Sequence, residues 1–70
     1  MTEEQLITIV AEILEVEPTE LSMDSSLDDL GWDSLCDIGF IAAVDEEVGK
    51  TVIPNELKAC SKVSDLWALV

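Results

Sequence analysis

The chain reads as all-α: a small four-helix bundle, with three longer helices, one short helix and a long first loop. Two observations predict this. Apolar residues recur at helical spacing in three stretches, Leu6 to Leu14, Phe40 to Val48 and Val63 to Val70. Residues that start or stop helices stand between them: Thr2, Pro18, Gly49, Pro54 and Ser61. A length of 70 residues allows one small domain spanning 1–70, whose core is only marginally self-sufficient.

The first helix starts at Thr2, which forms a capping-box pattern with Gln5, while Glu3 and Glu4 suit the positive end of the helix dipole. Leu6, Ile9, Val10, Ile13 and Leu14 make one apolar stripe running to about Glu15, with Glu12 and Glu15 on the wet side. Pro18 is expected to stop it. The next segment, 16–33, is a long loop in which Leu21, Met23, Leu27 and Leu30 are spaced like anchors to the core. Thr19-Glu20-Leu21 is expected to form one helical turn. Asp24, Ser26 and Asp28 fall at the first, third and fifth places of a calcium loop, but Asp29 stands where glycine is needed and Leu35 where a bidentate Glu should be. No metal site is expected.

The second helix is expected from Ser34 to Val48, closed by Gly49 as its C-terminal cap. Phe40, Ile41, Val44 and Val48 form its broader apolar stripe, expected against the first helix; Leu35, Ile38 and Ala42 follow a second line with nothing obvious to cover it. Acids flank that line at Asp33, Asp37, Asp45 and Glu46, the pattern of a docking surface for a basic partner. Gly39 costs about 1 kcal/mol relative to Ala in a helix interior and calls for close packing, a close partner or simple tolerance. Ile53-Pro54 opens a short helix through Ala59, and Ser61 is positioned to cap a last helix carrying Val63, Leu66, Trp67 and Val70, with Leu69 beside them.

Composition narrows the partners. Sixteen Asp and Glu against three Lys, with no His, give a formal charge of −13 and argue against nucleic acid or an anionic membrane. Basic protein surfaces are the natural complement. Cys36 and Cys60 match neither a disulfide framework nor a metal-ligand spacing and are read as free thiols. The N-terminal Met-Thr-Glu-Glu-Gln lacks the basic and apolar regions of a signal peptide, so a cytoplasmic location is expected.

The chemistry converges on Gly31-Trp32-Asp33-Ser34-Leu35. Gly31 permits a sharp turn, Asp33 or Ser34 can cap the following helix, and a hydroxyl at a helix start suits a phosphate ester. This G-x-D-S-L core, midway along a short acidic helical chain and followed by Ile53-Pro54, resembles the attachment motif of the acyl carrier protein family over the whole length. The resemblance implies that Ser34 carries a 4′-phosphopantetheine arm. A phosphopantetheinyl transferase with Mg²⁺ would transfer it from coenzyme A, and its thiol would hold acyl groups as thioesters for fatty acid or specialised acyl and polyketide biosynthesis.

By the same resemblance Asp33 and Leu35 are read by the transferase. Leu35, Asp37, Ile38, Asp45 and Glu46 meet acyl-loading and acyl-transfer enzymes that carry basic docking surfaces, and Phe40, Ile41 and Val44 are the residues that would shelter an acyl chain. The chain is expected to act as a monomer. Cys36 and Gly39 depart from the family pattern, which often has acids there, and favour a specialised stand-alone carrier. Cys36 is either a small apolar residue or a thiol able to intercept acyl groups. Trp67 is assigned to packing. Trp32 is placed to touch the arm, its cargo or a partner.

A hydrolase reading fails on the chemistry, since no His activates Ser34 and there is no G-x-S-x-G elbow; with no metal-ligand set or phosphate-binding Gly-rich loop either, the domain is expected to catalyse nothing alone. The remaining alternatives are an aminoacyl or peptidyl carrier and an unmodified acidic adaptor for basic proteins. Crowded negative charge strains the fold by self-repulsion. Mg²⁺ or added salt is therefore expected to raise the melting temperature, and a melting point indifferent to both would remove that reading.

Overall fold

A computed structural model describes residues 1–70. It has α1 at Glu3–Leu14, a 3-10 turn at Pro18–Glu20, α2 at Ser34–Val48, α3 at Pro54–Lys58 and α4 at Val63–Trp67. The all-α, four-helix expectation holds, with a long segment between α1 and α2. The fourth helix is shorter than its apolar spacing suggests. After Trp67 the hydrogen bonding passes to i→i+3 turns, the Leu69 N–H donating to Leu66 O at 3.0 Å and that of Val70 to Trp67 O at 3.3 Å, a tighter winding that keeps the side chains on the core without extending the helix.

The start of α1 is as expected. Thr2 Oγ1 accepts from the Gln5 N–H at 3.1 Å, and Gln5 Oε1 accepts from the Thr2 N–H at 2.8 Å. Its end differs: Glu15 adopts a left-handed conformation (φ 58°) whose N–H reaches Ala11 O and Glu12 O. The helix thus closes before Pro18. That proline instead opens the 3-10 turn, where its fixed φ and missing N–H are harmless. The expected single turn is present, shifted by one residue.

The cap of α4 is also a correction. Lys62, not Ser61, is the capping residue, and the Asp65 carboxylate reaches back to accept from the Ser61 N–H at 2.9 Å, the Ser61 hydroxyl at 3.2 Å and the Lys62 N–H at 3.1 Å. A carboxylate accepts several donors at once, so one Asp inside the helix replaces a hydroxyl outside it.

The core draws Leu6, Ile9 and Val10 from α1, Phe40 and Val44 from α2, Leu57 from α3 and Val63 and Leu66 from α4, with Leu27 and Val52 from the connections. Of the expected loop anchors, Leu27 is buried, and Leu21, Met23 and Leu30 are half-buried against the same cluster. Backbone bonds stitch this loop to the start of α4. The Leu27 N–H donates to Ser61 O at 2.9 Å, the Val63 N–H to Ser25 O at 3.1 Å and the Ser64 N–H to Met23 O at 2.9 Å, making an antiparallel bridge between Ser26 and Lys62. Ser26, the third place of the calcium-loop comparison, is drawn into that bridge.

On α2 the broad stripe faces inward at Phe40 and Val44, with Ile41 half-buried, but Val48 at its end is 42% exposed because α2 runs past the cover of the core there. No helix is long and apolar enough to cross a membrane. Gly39 faces α1, where a Cβ would meet the Ile13 side chain at 3.6–3.9 Å, ordinary van der Waals distance. Close packing therefore does not demand glycine. Gly39→Ala is expected to stabilise the fold by about 1 kcal/mol, raising the melting temperature by roughly 4–8 °C. An unchanged or lowered melting point in thermal denaturation would contradict this.

Candidate functional site

The segment leading into α2 is built by one turn. Leu30 and Gly31 donate back to Leu27 O (3.1 Å) and Asp28 O (3.2 Å), and Gly31 takes φ 80°, a region where a Cβ is strained. The chain reverses there. The Trp32 N–H then returns to Leu27 O at 3.0 Å, so the residues that follow are launched from a buried anchor.

Asp33 is the residue that caps α2. Its backbone is extended (φ −133°, ψ −172°), its carboxylate accepts from the Cys36 N–H at 3.1 Å, and its carbonyl accepts from the Asp37 N–H at 3.1 Å. The Cys36 N–H and thiol hold the Asp33 carboxyl below the usual carboxylate range. With capping assigned to Asp33, Ser34 is left free. It is the first residue of α2, it is exposed, and its hydroxyl enters none of the side-chain hydrogen bonds of the structure. An unengaged hydroxyl at a helix start has room for a phosphodiester and the favourable end of the helix dipole behind it. These residues fit the group that the sequence motif implies.

Trp32 packs on the first half of α2. Its indole N–H donates to Asp37 Oδ1 at 2.7 Å, and its ring meets Phe40 edge-on, with centroids 6.0 Å apart and planes at 70°. The expectation that Trp32 would meet an arm, cargo or partner gave no hint of this contact. Asp37 is correspondingly half-buried and engaged, unlike the free rim acid the sequence suggested. A Trp and an Asp five residues apart across a loop-helix junction carry no periodic signal, so the pair was not legible in advance.

The second line of α2 is uncovered. Leu35 is 76% and Ile38 64% exposed, Ala42 is exposed beside them, and Asp45 and Glu46 stand exposed further along the helix. Phe40 and Val44 are fully buried and Ile41 half-buried. The surface grooves lie elsewhere, one along α1 with Glu47 and one between α1 and the 3-10 turn, and neither is lined by Ser34 or by these three residues.

Both cysteines are free. Partial burial, and then the Asp33 and Asp37 carboxylates, push the Cys36 thiol up, which makes it a poorer nucleophile than an ordinary cysteine. Burial, with Asp65 next, does the same to Cys60.

A family profile described as "Phosphopantetheine attachment site" matches residues 4–70. The chain is 37% identical over 67 residues to an acyl carrier protein of Clostridium acetobutylicum, covering 94% of this chain and 87% of that protein. It is 36% identical over 63 residues to an acyl carrier protein of Treponema pallidum, covering 89% and 81%. It is also 36% identical over 61 residues to the orsellinic acid synthase of Beauveria bassiana, of which it spans 3%. No solved structure gives a significant match.

Asp33 and Asp65 both have lowered carboxyl pKa values, Asp65 because the Ser61 and Lys62 N–H groups donate to it. A depressed folded-state pKa contributes stability that is present above the unfolded value of about 3.9 and is lost as pH falls through the folded one. The contribution of these two caps to the melting temperature is therefore expected to be lost below about pH 4, alongside the relief of repulsion among the other acids. Asp33→Asn with Asp65→Asn, which keep an acceptor but do not titrate, should remove that part of the acid limb. An acid limb identical in the double variant would overturn the assignment.

Proposed function

The chain belongs to the phosphopantetheine-attachment family, as an acyl carrier protein, and on that premise we propose that Ser34 is the residue through which it is loaded. The cofactor of the family is covalent 4′-phosphopantetheine, and when bound it supplies a terminal thiol that holds acyl groups as thioesters. The chain interacts with a phosphopantetheinyl transferase and with acyl-handling enzymes. The observation that supports Ser34 is the division of labour at the start of α2: Asp33 supplies the cap, so the adjacent hydroxyl is exposed and unengaged.

The remaining roles follow from placement. Asp33 fixes the first turn and so sets where the Ser34 Oγ lies. Leu35 and Ile38 offer an apolar contact beside it, and Asp45 and Glu46 are the exposed charges that would find a basic groove and make docking sensitive to salt. Asp37, half-buried with its Oδ1 engaged by Trp32, is assigned to the start of α2 and not to that rim. Phe40, Ile41 and Val44 would shelter an acyl chain only if the helices part around Phe40, because no groove reaches them.

Ser34→Ala tests the reading. Incubated with a phosphopantetheinyl transferase, coenzyme A and Mg²⁺, the parent chain is expected to gain the mass of one phosphopantetheine, while the variant keeps its helical circular dichroism and gains nothing. A variant that still loads would move the site elsewhere.

A further inference from the structure

Ser34 is approached by the chain from a loop, and a loop by itself holds a side chain poorly. What stiffens the approach is the residue two positions upstream. Trp32 is fastened at three points: its N–H to Leu27 O at 3.0 Å, its indole N–H to Asp37 Oδ1 at 2.7 Å, and its ring edge-on to the fully buried Phe40 at 6.0 Å. Asp33, between Trp32 and Ser34, is fastened by its carboxylate to the Cys36 N–H and by its carbonyl to the Asp37 N–H. The bonds at Asp37 therefore come from both residues that precede Ser34.

We infer that Trp32 is a positioning residue for the loading of Ser34. Its indole, clasped between Asp37 and Phe40, locks the loop onto the first turns of α2 and holds the Ser34 hydroxyl in one place for the transferase. The inference rests on the proposal that Ser34 is the loaded residue. The exposed docking residues, Leu35 and Ile38, do not form the clasp, so it acts on the geometry of the acceptor and leaves the surface available for binding. The clasp joins a charged acceptor to a half-buried donor, an arrangement stronger than a neutral hydrogen bond. A displacement of the reacting atom by about 1 Å can cost on the order of a hundredfold in rate.

The test is loading of the full chain by a phosphopantetheinyl transferase with coenzyme A, followed by intact mass at varied carrier concentration. Trp32→Phe keeps a ring for Phe40 but removes the indole N–H, and is expected to lower kcat by about ten- to a hundredfold with little change in KM. Asp37→Ala removes the acceptor and leaves Trp32 in place. Its kcat should fall by a similar factor, and the double variant should fall no further, because the two changes break one interaction. Circular dichroism at the assay temperature confirms that each variant is folded, and should Trp32→Phe prove unfolded, Asp37→Ala alone carries the comparison. Loading of the variants at the parent kcat, or a loss confined to KM, overturns the clasp while leaving Ser34 intact. A parent chain that is not loaded at all strikes the Ser34 reading itself.

Discussion

The architecture depends on how the connection between α1 and α2 is held, because α3 and α4 are too brief to fix a bundle by themselves. Three backbone bonds run from Met23, Ser25 and Leu27 to residues 61–64, and Leu27 is buried between them and the core. They give the loop the partners that buried backbone groups need. They also give α4 a fixed entry, since the Asp65 carboxylate closes around the Ser61 and Lys62 N–H groups where the loop arrives. Without this seam, the turn at Gly31 would have no anchored base, and the head of α2 would inherit the freedom of the whole segment.

The site shows the same economy. One carboxylate, Asp33, takes the capping task, and its neighbour is thereby released with its hydroxyl unspent. A second carboxylate, Asp37, faces inward to the indole instead of joining the exposed acids. Acidic residues in this chain therefore divide by what they accept: Asp33, Asp65 and Glu20 bind backbone N–H groups, Asp37 binds Trp32, and exposed ones such as Asp45 and Glu46 remain available to a basic partner. Net charge alone does not distinguish these uses.

Much of this was legible in the sequence because it depends on local spacing. Thr2 and Gln5, the stripe from Leu6 to Leu14, the span of α2 from Ser34 to Val48 and the left-handed Gly49 all follow from contacts within a few residues. The exposed line of Leu35, Ile38 and Ala42 was legible too, since a helix with two apolar faces buries only one here. What escaped needs three-dimensional context. Glu15 takes a left-handed conformation although glycine is the usual residue for it, Asp65 caps backward across its own helix, and Trp32 finds Asp37 only after the loop has closed. Val48 shows the limit of periodicity, which gives a direction around the helix but not the point along it where the core ends.

Every fully buried side chain in this molecule is hydrocarbon, and no polar side chain is enclosed with it. Such an interior is held by shape and the exclusion of water, with no directional bond to insist on a single arrangement. A guest of the same chemistry entering among these side chains would strand no buried polar side chain, since the interior holds none. It would trade one greasy neighbour for another, so the resistance it meets is set by how far Phe40 and its surroundings can slide apart.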